Sequence, residues 1–276
     1  MSLNKTIVTF YLLLTAVSAS CAGYYHLLSG GGGGYQFSIF QAPAIKDVID
    51  IYNNQLYRNL WNGSNGSKMT GLDQMHGYFC NYAFYKYIDK SRDMLTSFQI
   101  SGEFEHSFAG SESWFLFKTY DKVYRNYDYS YNSITLSFDY GWSPVKKWLI
   151  YGGIGLGYDH FSLESYLDYP DNLSSYEVEK FENDNFNQEN LTNKLKIENG
   201  KYTGDGVSVK AQVRTEYYIL PELEANLSLQ GRYIYIDRLK KGKLNLRKNQ
   251  FSTDPLVLEA MQYAVRLGIN YYFVLE

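Results

Sequence analysis

From Met261 to Phe273 every second residue is apolar or aromatic: Met261, Tyr263, Val265, Leu267, Ile269, Tyr271 and Phe273. Between them stand Gln262, Ala264, Arg266, Gly268, Asn270 and Tyr272. A period of two sorts these sets onto opposite faces of a strand. The apolar face needs a core or a lipid phase. The other face carries Arg266, which needs water or a buried partner. A chain built of such strands can be a sandwich with one wet surface, or a barrel with unlike inside and outside.

The alternation recurs upstream. Met75–Ile88 is aromatic on both faces. Leu95–Phe108 sets Phe98, Ile100 and Phe104 against Ser97, Gln99, Ser101, Glu103 and Glu105. Ala109-Gly110-Ser111 reads as a turn into a strand at Trp114–Val123. Tyr129–Trp142 puts Ile134, Leu136, Phe138, Tyr140 and Trp142 on one face. A turn at Ser143–Lys146 leads to Lys147–Leu163, where Trp148, Ile150, Ile154, Leu156 and Tyr158 oppose Gly153, Gly155 and Gly157. That alternation makes Gly152–Gly157 a strand rather than a phosphate loop. Val207–Ile219 and Leu223–Ile236 follow, and Met261–Phe273 closes a set of eight strands. Ten is the alternative, since Tyr35–Gln41 has strand character and barrels of this kind have even strand numbers.

The N-terminus selects between sandwich and membrane barrel. Lys5 precedes an apolar run from Ile7 to Ala19, too short to span a bilayer but suited to the core of an export signal. Small residues follow, so residues 1–22 read as a signal peptide. Cys21 is also a candidate for lipidation, which would leave Cys80 without a disulfide partner. No other long apolar run occurs, so a membrane would be crossed by strands. Aromatics make up 18% of the chain and include 29 Tyr, residues suited to membrane–water interfaces. Trp142, Trp148, Tyr271 and Phe273 fall near strand ends as an interfacial girdle. Glu103, Glu105, Arg214, Glu216, Arg232 and Arg266 fall on the opposite faces, where a narrow lumen would let them pair. A formal net charge of -3 gives no pointer to nucleic acid.

Residues 23–74 hold five consecutive glycines, Gly30–Gly34, and an amphipathic helical pattern opening at Pro43. This helix is expected to plug the lumen or to lie at the periplasmic face. The barrel itself is expected over 75–276. Turns near Gly110, Pro144 and Pro221 are short, while 165–205 and 238–254 are long. From Glu164 through Asp205 there are ten acidic residues and four lysines; Arg238–Lys248 holds six Lys/Arg and no acid. Short turns at one end and long loops at the other are the habit of transmembrane barrels.

Over Met75–Glu276 the pattern resembles the small eight-stranded bacterial outer-membrane barrels of the OmpA/OmpX-like class. It departs from them in adding Val274-Leu275-Glu276 after the terminal aromatic. The resemblance implies an all-β, antiparallel, up-and-down transmembrane barrel in the outer membrane of a Gram-negative-type envelope. Outer-membrane lipid and the barrel assembly machinery would be its partners. The function expected is structural, adhesive or recognitional, through the charged outer loops and any extracellular ligand they hold. A narrow porin is the alternative. His160, Ser162 and Glu164 share one strand face, and the His-x-Ser pair resembles that of outer-membrane lipid A deacylases; this supplies a minor hydrolase alternative to a non-enzymatic chain. No cofactor is implied, and His26, His76, His106 and His160 are too scattered for a metal set.

Overall fold

A computed structural model describes residues 27–276 except 52, 54–65, 71, 90–95, 118–120, 146, 172, 178–199, 221, 242–255 and 275–276. Cys21 and the signal segment lie outside the described residues. Eight strands follow one another: β1 (Leu27–Gln41), β2 (Gln74–Asp89), β3 (Thr96–Phe117), β4 (Asp121–Val145), β5 (Trp148–Asp168), β6 (Gly200–Tyr218), β7 (Leu223–Lys241) and β8 (Leu256–Val274). Each pairs antiparallel with its neighbour, and β1 pairs with β8, so the sheet closes on itself. One helix, α1 (Pro43–Ile51), lies between β1 and β2. Closure satisfies the backbone of every strand without an exposed edge.

The count of eight is right, but two of its members differ from the sequence expectation. The wall begins at Leu27, not at Met75: the glycine run is the middle of β1, hydrogen-bonded to β2 and β8. The strand character of Tyr35–Gln41 belongs to the second half of β1, whereas the five glycines before it give no periodicity to read. The glycines are needed for close approach at the seam, where Gly34 faces Gly268 and a Cβ on Gly34 would fall on the Leu267 carbonyl oxygen. The second difference lies at Ala109-Gly110-Ser111, which is no turn. β3 runs straight through it, with Gly110 opposite Asp128 and Ser107, Ser111 and Ser113 all buried on one parity. A Cβ on Gly110 would stand 2.7 Å from Asp128 Oδ1, the free end of an exposed side chain. The stretches expected as two strands, 96–108 and 114–117, are therefore one, and the rest of the second, from Asp121, belongs to β4.

The two ends of the barrel differ. At the end holding Leu28 and Val274, the connections are 90–95, 146–147 and 219–222. The tight connection at 146–147 uses a left-handed Lys147 (φ 72°), as two-residue hairpins require. At the opposite end lie 42–73, 169–199 and 242–255, with 118–120 the only short one. The long-loop end is the outer end by the rule that governs such barrels. α1 therefore sits at the outer mouth rather than at a periplasmic face.

Candidate functional site

The residues that could carry function fall into three layers inside the barrel and one row outside it. Midway along the lumen, Arg266 on β8 reaches Glu103 and Glu105 on β3, each at 2.7 Å, and donates from Nε to Gln36 Oε1 at 2.8 Å. Arg232 on β7 lies 3.1 Å from Glu105 and 3.5 Å from Asp159 and donates to Tyr131 Oη at 2.7 Å. Lys210 on β6 completes the set, 3.1 Å from Glu103. Three cations face three carboxylates, and all six are buried. Charges so placed are tolerable only when paired. Here the pairs span the lumen and join β1, β3, β5, β6, β7 and β8.

Nearer the inner end, Arg214 Nε contacts Glu216 Oε1 at 2.6 Å, and Asn270 Nδ2 donates to Glu224 Oε1 at 2.6 Å. Of the six charges expected in the lumen, Glu216 thus pairs with Arg214, because the two share the inward parity of one strand. Lys210 lies inward, as the alternation of β6 places it alongside Arg214 and Glu216, and Asp159 and Glu224 are lumen charges beyond the expected set.

Toward the outer end the lumen turns apolar. Tyr129, Tyr131, Phe161, Leu163, Ile234, Ile236, Leu258 and Ala260 point inward and form one cluster with Phe40, Met69 and Leu72 and with Ala42, Ile45 and Ile49 of the helical segment. Phe40 and Phe161 stack at 5.9 Å. The segment is strapped in place by polar bonds: Asn53 exchanges two 2.9 Å bonds with the Met69 backbone, Phe40 N donates to Asp73 O, and Tyr129 donates to Leu72 O. α1, with Met69 and Leu72, thus stoppers the outer mouth.

Outside, polarity inverts at one level. Below it the outward face is apolar, with Ile154 at 66% and Leu156 at 70% exposure. Above it, on β4, β5 and β6, the outward face turns polar, with Asp128, Ser130, Asn132, His160, Glu164, Lys201 and Asp205, while the inward Tyr129, Tyr131, Phe161 and Leu163 belong to the apolar cluster and β3 keeps Ser107, Ser111 and Ser113 inside. On these strands the outward face is apolar in the lower part and polar in the upper part. Only the lower part suits lipid. From Trp148 to Tyr158 on β5 that band is about 25 Å tall at a strand rise of roughly 3.3 Å and a tilt of roughly 40°, which matches the hydrocarbon span of such barrels. Trp142 and Trp148 lie at its inner margin, with Trp148 and Tyr217 rings 5.3 Å apart; Tyr271 and Phe273 pack at 5.0 Å at the same end. The barrel is thereby of the membrane-spanning kind.

His160, Ser162 and Glu164 share the outward face, but the structure does not join them. His160 Nδ1 bonds Asp205 Oδ1 at 2.8 Å, not Ser162. Glu164 faces Lys201 at 3.9 Å, and Ser162 is only 8% exposed. Among the described residues no group of three or more His, Cys, Asp or Glu is placed to hold a metal ion.

No protein-family model matches the chain, and no curated protein matches it. Among solved structures, the attachment invasion locus protein Ail of Yersinia pestis is similar at 12% identity and a TM-score of 0.37, over 90% of this chain and 99% of that one. The outer membrane protein OprG of Pseudomonas aeruginosa is similar at 11% identity and a TM-score of 0.38, over 92% and 99%. The outer membrane protease OmpT of Escherichia coli gives 7% identity and a TM-score of 0.40, over 91% and 98%. The barrel assignment itself rests on the strand pairing and the inverted polarity of this chain.

Proposed function

We propose that the chain is a closed outer-membrane barrel that acts through its outer surface, as an anchored platform for adhesion or recognition. The observation that carries this reading is the filled lumen. Its middle is crossed by buried ion pairs, and its outer third is an apolar core sealed by α1. An eight-stranded wall leaves room for side chains and little else. A solute path would have to dissolve both layers. The wall instead spends its length above the membrane: β3, β4 and β5 run well past the polarity boundary, and the long connections 169–199, between β5 and β6, and 242–255, between β7 and β8, leave from that end with sequences of opposite charge.

Two measurements test this. Full-length protein in planar bilayers is expected to give no sustained conductance; steady open channels would overturn the closed-barrel reading in favour of a porin. Cells displaying the chain are expected to attach to charged polymer surfaces in a salt-dependent manner. Replacing 178–199 or 242–255 by short Gly/Ser linkers is expected to change that attachment while the barrel stays folded. Unchanged attachment in both variants would remove the loops as the working surface.

A further inference from the structure

Just above the polarity boundary, β3 to β6 each present one outward polar residue, in register: His106, Asn132, His160 and Asp205. His106 Nδ1 and Asn132 Oδ1 are 2.7 Å apart, and His160 Nδ1 and Asp205 Oδ1 are 2.8 Å apart. The Tyr158 hydroxyl, from the row below, also bonds Asp205. One pair-step higher stand Ser130, Ser162 and Thr203, again in register, and above them Asp128, Glu164 and Lys201. Directly below are Ile134, Tyr158 and Val207, then Leu136, Leu156 and Val209.

We propose that this stepped face is a seat for one uncharged glycolipid-type amphiphile, with its sugar headgroup on the polar rows and its alkyl chains along β4, β5 and β6. The inference rests on the membrane-spanning reading. Four features select this occupant. The rows are rich in groups that both donate and accept, an amide, imidazoles and hydroxyls, beside a carboxylate; such groups match the vicinal hydroxyls of a sugar. Among the described side chains the charge balance disfavours a phosphate: Asp128, Glu164 and Asp205 face Lys201, which is already within 3.9 Å of Glu164. The apolar face is continuous with the polar one. A lipid lying on Ile154 and Leu156 places its headgroup at this height, so membrane insertion itself delivers the ligand at high effective concentration. The exposed Tyr158 ring, at the boundary, offers an apolar surface for the C–H face of a sugar.

The test uses full-length protein folded in an amine-oxide detergent, with dodecyl maltoside as the probe. Dodecyl phosphate of the same chain length is the control, and native mass spectrometry counts what stays bound. The expected result is one preferentially retained maltoside, bound more tightly than the phosphate. Asn132→Ala/Asp205→Ala is expected to weaken retention about tenfold, the loss of one or two hydrogen bonds. Asp205→Asn, which keeps the shape and removes the charge, is expected to raise retention of the phosphate. Equal or better retention of dodecyl phosphate by the parent protein, or maltoside retention untouched in the double variant, overturns the proposal. Heat-dependent gel migration in the same samples reports the barrel separately, so loss of the seat and loss of the fold are distinguishable.

Discussion

Glu105 is the residue whose removal should be felt most. It accepts from Arg266 Nη2 at 2.7 Å and Gln262 Nε2 at 2.7 Å, lies 3.1 Å from Arg232, and also accepts from Gln36. It is fully buried and ties β3 to β1, β7 and β8 across the lumen. Glu105→Ala leaves three cations, Lys210, Arg232 and Arg266, facing two carboxylates, Glu103 and Asp159. An uncompensated buried charge of this kind costs about 3–5 kcal/mol. The stranded Gln36 and Gln262 amides raise rather than lower that figure. Taking ~4 kcal/mol, the folding constant falls roughly a thousandfold. With a slope of roughly 2 kcal/mol/M, the urea midpoint falls by about 2 M. The assay is equilibrium urea unfolding from lipid vesicles, followed by tryptophan emission. Glu105→Ala/Arg266→Met restores the charge balance and is expected to recover at least half of the loss. A single variant within about 1 kcal/mol of the parent, or a double variant that costs the sum of its singles, would refute the account of the lumen as a coupled ionic network.

Other expectations follow from the same geometry. Gly34→Ala is expected to block closure, leaving no heat-modifiable species on a gel, because its Cβ would meet the Leu267 carbonyl in β8; Gly31→Ala, whose nearest neighbour is the Tyr82 ring at 3.3 Å, is expected to fold. Equal behaviour of the two would contradict the seam. Ile49→Asp puts a charge into the apolar stopper and is expected to cost roughly 3 kcal/mol and to make residues 42–73 sensitive to protease from outside; unaltered proteolysis would show that α1 is not docked. Cys80, on the outward face between Tyr78 and Tyr82, is exposed to the lipid side. It is expected to resist a charged, impermeant maleimide in vesicles, because the reactive thiolate does not form in an apolar surrounding, and to react once the barrel is unfolded in urea; rapid reaction in the vesicles would place that face in water.

Much of the wall was legible because inside and outside demand opposite polarity and a strand reports both every two residues. β5, β6, β7 and β8 show this, and so does the inward set of Glu103, Glu105, Arg214, Glu216, Arg232 and Arg266. Three things were not legible. β1 has a stretch with no side chains, so its glycines read as a linker although backbone pairing holds them in the wall. Gly110 reads as a turn because glycine is the usual breaker, whereas here it is an ordinary member of the ladder, opposite Asp128. The outer apolar core was missed because its members, such as Tyr131, Phe161 and Ile234, lie on the parity that is polar lower down. A single alternation cannot show that the environment changes partway along a strand. The pairing of His160 with Asp205 links residues 45 apart in sequence through the ladder between β5 and β6, a relation no local spacing records.

The central claim is that the lower wall faces lipid on one parity and a closed lumen on the other. Nitroxide scanning along β8, in a Cys80→Ala background and in lipid vesicles, tests it directly. At Val265, Leu267 and Ile269 the labels should be readily relaxed by oxygen and hardly at all by a water-soluble nickel chelate. At Ala264 and Asn270 both should be low. High chelate accessibility at Val265, Leu267 and Ile269, or accessibility that does not alternate, would contradict a membrane-spanning barrel.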